Sequence, residues 1–249
     1  MIGLLQPQWP APAGVQAAFS LRTGGVSAGC YASLNLGLHV GDDAAAVHAN
    51  RAALAEALDL PAAPLWLQQV HGVRVADVDR ESLPLPPADA AVTRAPGRVL
   101  SIMVADCLPV LFASFDGSVV AAAHAGWRGL AAGVLEHAVR ATGVAPAQLH
   151  AWIGPGIGAR AFEVGDEVHA AFTAQETGDT ALAAGSCFVP NERGRWLCDL
   201  AQLARLRLVA LGLVSIHGGE WCTHSDVARF FSHRRDGTSG RMAALIWRA

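Results

Sequence analysis

Apolar positions along the chain fall into short runs, continuous or alternating with period two, each bounded by Gly, Pro or Asp. Such runs predict strands. The clearest are VQAAFSL (15–21), LWLQQV (65–70), VRVADV (73–78), VLSIMVA (99–105), PVLFASF (109–115), SVVAAAH (118–124), LHAWIG (149–154), LVSIHG (213–218) and MAALIW (242–247). Between two of them, Phe115-Asp116-Gly117-Ser118 reads as a hairpin turn. Helical periodicity is rarer. Asp42 and Asp43 can cap a helix running to about Leu58, and a second is expected from about Leu130 to Ala141, stopped by Gly143. Two more are expected over 166–174 and 199–211.

Strands outnumber helices, and hairpins mix with helical crossovers. The expected class is therefore α+β, a single domain of mixed β-sheets flanked by helices, rather than a doubly wound α/β fold. No linker is long enough to divide the chain. The proline-rich LPLPPAD (83–89) reads as a surface turn, so residues 1–249 are taken as one domain.

Composition narrows the class of function. Of 249 residues, 52% are hydrophobic and 16% charged, which gives ample material for a large core. With 18 basic and 21 acidic residues the net charge is −3, and no basic run suggests nucleic acid or an anionic membrane as partner. The opening MIGLLQPQWPAPAG has neither the cationic start of a signal peptide nor the length of an anchor, so a cytoplasmic location is expected. Five scattered cysteines (Cys30, Cys107, Cys187, Cys198, Cys222), with no CxxC, suit core residues, ligands or a nucleophile better than a disulfide frame.

Three segments put a ligand-type side chain where a strand meets a loop: Gln68-Gln69-Val70-His71-Gly72, Ala105-Asp106-Cys107-Leu108-Pro109 and His124-Ala125-Gly126-Trp127-Arg128-Gly129. Taken singly, each histidine reads more simply as hydrogen-bonded structure, and the cysteine as a small buried hydrophobe. Taken together, two imidazoles and a thiolate are a set that a catalytic zinc takes, with its fourth position open, if the three strand ends converge on one sheet edge. Their wide spacing matches no compact zinc motif. In the third segment the glycines permit a tight turn, and Arg128 beside a helix start forms a candidate anion seat. Gly154-Pro155-Gly156-Ile157-Gly158-Ala159 fits a dinucleotide fingerprint only loosely and reads as a turn, as does Cys222-Thr223-His224. The chain has no Walker A, HExxH or GxSxG motif.

QQVHG, ADCLPV and HAGWRG, in this order, resemble the laccase-domain (YfiH) family, also called polyphenol oxidase, peptidoglycan editing factor or purine nucleoside phosphorylase. The likeness extends through FSLRTGGVSAGCYASLNLGLHVGDD (19–43), VHANR (47–51), ADAAVT (88–93), AWIGPGIG (151–158), FEVG (162–165) and FFSHRRDGTSGRMAALIW (230–247). Ala91 and His233 depart from the family pattern. The resemblance implies one domain related in shape to a toxin deamidase, and zinc held by His71, Cys107 and His124. It implies phosphorolysis of adenosine, inosine, guanosine and methylthioadenosine, and deamination of adenosine; copper-dependent phenol oxidation is an older ascription.

The residues bear on that choice. Multicopper oxidases need about ten histidines, largely in HxH pairs. This chain has ten histidines in total and no HxH, although one His–Cys–His site can take a stray copper. Zinc chemistry on a purine nucleoside and phosphate is the expected function, with Cys107, His124 and Asp106 as catalytic candidates. Arg22, Arg51 and Arg128 are the candidate phosphate or ribose contacts, with Asn35 and Gln68 as polar partners. Two alternatives stay open. One is a hydrolase in which Cys107 is the nucleophile, acting on an amide in a peptidoglycan precursor; the other is a non-enzymatic binding module. Oligomeric state is not legible.

Overall fold

A computed structural model describes residues 1–174 and 183–249. Two sheets lie face to face in it, and helices cover both outer surfaces. The first sheet has five strands in the order β1 (Leu4–Leu5), β2 (Val15–Ser20), β14 (Met242–Arg248), β6 (Val99–Val104), β3 (Leu65–Trp66). The second has six, ordered β13 (Ser215–Gly218), β9 (Leu149–Ile153), β7 (Leu108–Ser114), β8 (Val120–Ala125), β5 (Ala90–Thr93), β4 (Val75–Asp77). A small third sheet joins β10 (Glu163–Val164), β12 (Trp196–Cys198) and β11 (Phe188–Pro190). Both large sheets mix parallel and antiparallel pairs, in line with the α+β class.

The alternation along each strand explains the layers. Leu100, Ile102 and Val104 of β6, Met242, Ala244 and Ile246 of β14, and Val120 and Ala122 of β8 fill the core between the sheets. The intervening residues of β8 and β7, including Ala121, Ala123 and Phe112, face the second core. There they meet α3 (Val134–Thr142), α4 (Asp166–Thr173) and α5 (Leu200–Ala210). On the far side, Val99, Ala243, Leu245 and Trp247 pack with Leu54 of α1 (Ala44–Ala57). Strands covered on both faces must be apolar throughout, which is why these runs are continuous rather than alternating. Alanine is a poor strand former in isolation, so the alanine-rich β8 owes its conformation to this burial.

Helix limits follow from caps. Asp43 Oδ1 accepts from Ala45 N at 3.1 Å, and Asp199 Oδ1 from Gln202 N at 2.9 Å, starting α1 and α5. The single helix expected over 130–141 is two: α2 (Trp127–Ala132) and α3, divided at Gly133, whose φ of 98° interrupts the helical path. The strand expected over 65–70 ends at Trp66, but its ladder continues through a side chain. Gln69 Oε1 accepts from Met103 N and its Nε2 donates to Met103 O, both at 2.8 Å, so an amide side chain replaces a peptide while the backbone leaves the sheet. The strand β5 and the small third sheet lack strong strand signals in the sequence. Among the described residues no helix is long and apolar enough to cross a membrane.

Phe112 is fully buried in the core beneath the helices. Phe112→Ala is expected to destabilise the fold by about 3–5 kcal/mol, read as a lowered urea midpoint. A loss below about 1 kcal/mol would contradict this packing.

Candidate metal centre

His71, Cys107 and His124 come together at one end of the sheet sandwich. Their ligand atoms all lie within 4.8 Å of one another. Only His124 arrives as expected, at the end of β8. The other two sit on crossings between sheets: His71 lies between β3 of the five-stranded sheet and β4 of the six-stranded one, and Cys107 lies between β6 and β7. Convergence is thus at a corner where the chain changes sheets, not along one sheet edge. Cys107 Sγ is 3.7 Å from His71 Nε2, and the two imidazole rings meet edge to face with centroids 4.7 Å apart.

One residue that the sequence reading passed over holds this corner. Asp89 stands just before β5, and the register Ala90↔Ala123 brings it opposite His124. Its fully buried carboxylate accepts from the amides of Val70 (3.1 Å), His71 (2.8 Å) and Gly72 (2.7 Å). It is also 2.8 Å from His124 Nδ1. Three consecutive amides turned to one carboxylate require an unusual backbone, and His71 has a φ of 60°, in the left-handed region. The same carboxylate fixes His124 with Nδ1–H donated inward, leaving Nε2 as the free ligand nitrogen. The signal in the sequence was a single charge inside the apolar run ADAAVT.

The glycines of the third segment also have a steric reason. A Cβ on Gly126 would lie 2.8 Å from His71 Cδ2 and 2.9 Å from Cys107 Sγ, and one on Gly129 would lie 2.9 Å from Gly72 O. Helix α2 can therefore press against the three ligands only with hydrogen at both positions. A cleft of about 160 Å³ opens beside them. Ile157, Phe162, Leu200 and Trp127 give it apolar walls, and Arg128, His233 and Arg234 line it with polar and cationic groups.

The other sequence candidates have varied placements. Asp106, with φ 90°, accepts from Thr223 Oγ1 (2.6 Å), Ser232 Oγ (3.0 Å) and Arg234 N (2.6 Å). Its carboxylate ties the 223 and 232–234 segments to the cleft, whereas the ligand-orienting carboxylate is that of Asp89. Asn35 is buried and spends its whole amide internally: Nδ2 donates to Gly37 O and Asp42, and Oδ1 accepts from Gly37 N and Arg241 N. No atom of that amide remains for a ligand. Arg22 is engaged with Ala32 O and Val227 O and lies over the Phe231 ring. Arg51 grips Leu36 O with two donors, at 2.9 and 2.8 Å, and lies over Trp66. Gln68 is exposed. Arg128 is exposed on the cleft rim, over its neighbour Trp127, and α2 behind it is only six residues long.

A family model described as multi-copper polyphenol oxidoreductase laccase matches residues 16–249. The chain belongs to this laccase family. A Pseudomonas aeruginosa relative named purine nucleoside phosphorylase PA4543 is 51% identical, covering 98% of this chain and 97% of its own. The Escherichia coli purine nucleoside phosphorylase YfiH is 49% identical over 99% of both chains. The crystal structure of Neisseria meningitidis protein NMB0706 superposes with a TM-score of 0.93 at 44% identity, covering 99% of each chain.

In this laccase-family chain the donor set suits a metal. Zinc bond lengths of about 2.0–2.3 Å place tetrahedral ligand atoms about 3.3–3.8 Å apart, and the Cys107–His71 separation of 3.7 Å falls in that range. Burial alone would raise the Cys107 thiol, but His124 and His71 outweigh it and hold the thiol well below its ordinary range. Burial likewise opposes charge on His124, and is outweighed by Cys107 and Asp89, which raise it. Asp89 is held below the usual carboxylate range because His124 and the loop amides outweigh its burial. A thiolate among imidazoles is the form a metal binds.

Two substitutions test the assembly. Gly126→Ala should give a folded protein with substoichiometric metal by metal analysis; full occupancy would show that the Cβ is accommodated. Asp89→Asn removes the charge and turns one NH2 toward donors, and should weaken the metal about 10–100-fold in a chelator competition, with circular dichroism checking the fold. Unchanged affinity would remove Asp89 from its assigned role.

Proposed function

We propose that the protein is a zinc-dependent purine nucleoside phosphorylase acting on adenosine, inosine, guanosine and methylthioadenosine, with adenosine deaminase activity, working in the cytoplasm. The observation that carries this reading is the open His71–Cys107–His124 group backed by Asp89, in a chain about half identical, over its full length, to relatives named purine nucleoside phosphorylase. Zinc is the metal proposed, and copper is a possible occupant of the same donors. When bound, such an ion supplies Lewis acidity beside an open coordination position.

The chain's own residues do the rest. His71, Cys107 and His124 hold the ion, with Cys107 serving as ligand rather than as nucleophile. Apolar walls at Ile157, Phe162 and Leu200 suit a purine face and exclude water. Arg128 offers a guanidinium at the rim, and Gln68 a free polar group nearby in sequence. Asp106 acts by fixing the 232–234 turn, which presents His233 and Arg234 to the cleft.

In phosphorolysis an oxygen of hydrogenphosphate attacks C1′ of the nucleoside. The C1′–N9 bond breaks with its electron pair going to the base, which takes the phosphate's proton, and ribose 1-phosphate leaves. In deamination water adds at C6 of adenosine and ammonia departs, giving inosine.

Metal-analysed protein incubated with adenosine and phosphate should yield adenine, inosine and hypoxanthine, separable by chromatography, and a chelator should abolish all three. Absence of every product at full zinc occupancy would end this reading. The amide-hydrolase alternative makes the opposite forecast: chelator-insensitive turnover, and loss of activity on alkylation of Cys107 in the metal-loaded protein.

A further inference from the structure

A second cluster of cations lies behind the metal centre, on the α1 side of the five-stranded sheet. Arg241 precedes β14, and the register Met242↔Val104 places it opposite Ala105, two residues from Cys107. Alternation puts Arg241 on the same face as Ala243, the face that α1 covers. Arg51 reaches that face from α1, with Nη2 3.9 Å from Met103 Sδ. His39 completes the group from the 35–41 loop. An idealised Cβ on Gly37 would sit 2.9 Å from Arg241 Cγ and 3.4 Å from His39 Cε1, so both side chains close on one glycine.

The hydrogen bonds of this group are half used. Arg51 donates Nε and Nη2 to Leu36 O, and Arg241 donates Nη1 to the carbonyls of Ser239 and Gly240. Arg51 Nη1 and Arg241 Nε and Nη2 have no partner among the described residues, and none of them is a buried orphan, so these donors reach open space. Ser239 Oγ, two residues before Arg241, is buried without a partner among the described residues.

No carboxylate pairs with either guanidinium among the described residues. By contrast, Arg235 rests on Asp236 and Arg74 on Glu81. Leaving two half-buried guanidiniums and an imidazole without a counter-ion is costly. Consistent with that, burial lowers Arg51 to about 10, and His39 is lowered by burial and then by both arginines. Burial lowers Arg241 as well, only partly opposed by Cys107 and Asp106 beside the metal centre and by Tyr31.

We propose that Arg51, Arg241 and His39 form an oxoanion seat adjoining the metal centre, which takes inorganic phosphate. Guanidinium forks match tetrahedral oxoanions in geometry and charge. The metal-side cleft of about 160 Å³ is smaller than the roughly 300 Å³ and above typical of sites enclosing a whole ligand. A division in which nucleoside and phosphate approach from different sides fits that shortage. The role of the seat as the nucleophile's site rests on the phosphorylase reading; its existence does not.

The test is calorimetric titration of zinc-loaded protein with inorganic phosphate, without nucleoside. Arg51→Gln and Arg241→Gln should each weaken phosphate about tenfold or more, and His39→Gln about threefold. With inosine, the KM for phosphate should rise by similar factors while that for inosine moves less than about twofold. Arg51 also anchors Leu36 O, so if Arg51→Gln fails to fold, Arg241→Gln and the exposed His39→Gln carry the test, with zinc content and circular dichroism checking integrity. Phosphate binding unchanged in these variants, absent from the wild type, or lost in Arg128→Gln instead, would overturn the seat. Binding lost in Arg241→Gln by a protein that phosphorolyses nothing would leave the seat standing and remove the phosphorylase reading alone.

Discussion

The corner that carries the chemistry depends on one buried carboxylate. Asp89 has four donors from two separate parts of the chain, three loop amides and one imidazole. Such a charge is tolerable in a core only because its oxygens are fully used. It couples features that are otherwise independent: the left-handed backbone at His71, the tautomer of His124 and the pairing of β5 with β8. Two histidines on different elements thereby acquire a common reference point. A metal would bind to donors that are already oriented, without first having to order a loop.

Small residues let this corner close. Gly126 and Gly129 face ligand atoms and a backbone carbonyl at distances that no side chain tolerates. Ala121, Ala122 and Ala123 allow β8 to lie buried among its neighbours on both faces. Alanine and glycine contribute little to strand or helix formation at these places, so their cost is local and their benefit lies in packing. The stretch VAAAHAGWRG is therefore a compromise between propensity and proximity, with His124 as its purpose.

Much of this was legible from the chain. Long strands covered on both faces declared themselves as apolar runs, and α1 by its aspartate cap. The ligand triad could be named because three ligand-type side chains at strand–loop junctions stood in segments that resemble one family's motifs, although each alone read as packing. The short strand β5, with ADAAVT as its only signal, resembled ordinary small-residue filler. Asp89 went unnoticed for the same reason, since its partners are backbone amides, which have no letter in the sequence. Helix α2 and α3 read as one because the period continues past Gly133, and only its φ of 98° separates them. Asn35 looked like a ligand contact because polar side chains in a glycine-rich loop serve loop closure and recognition equally well. Only the occupancy of its hydrogen bonds distinguishes the two.

The family description speaks of multiple coppers, while the relatives' names speak of nucleosides. The described residues offer one group of three or more His, Cys, Asp or Glu side chains able to share a metal. A type 1 centre with a trinuclear cluster needs several such groups and about ten histidines. Of the ten present, His150 and His217 share Ser215 Oγ, and His169 stacks on Trp196. The imidazoles are dispersed through the fold, which leaves no relay for moving four electrons to oxygen. What the centre does possess is two imidazoles and a thiol held below its ordinary range, beside a cleft, with guanidiniums behind it that meet no carboxylate among the described residues. Such a centre is suited to the polar bond cleavage proposed above.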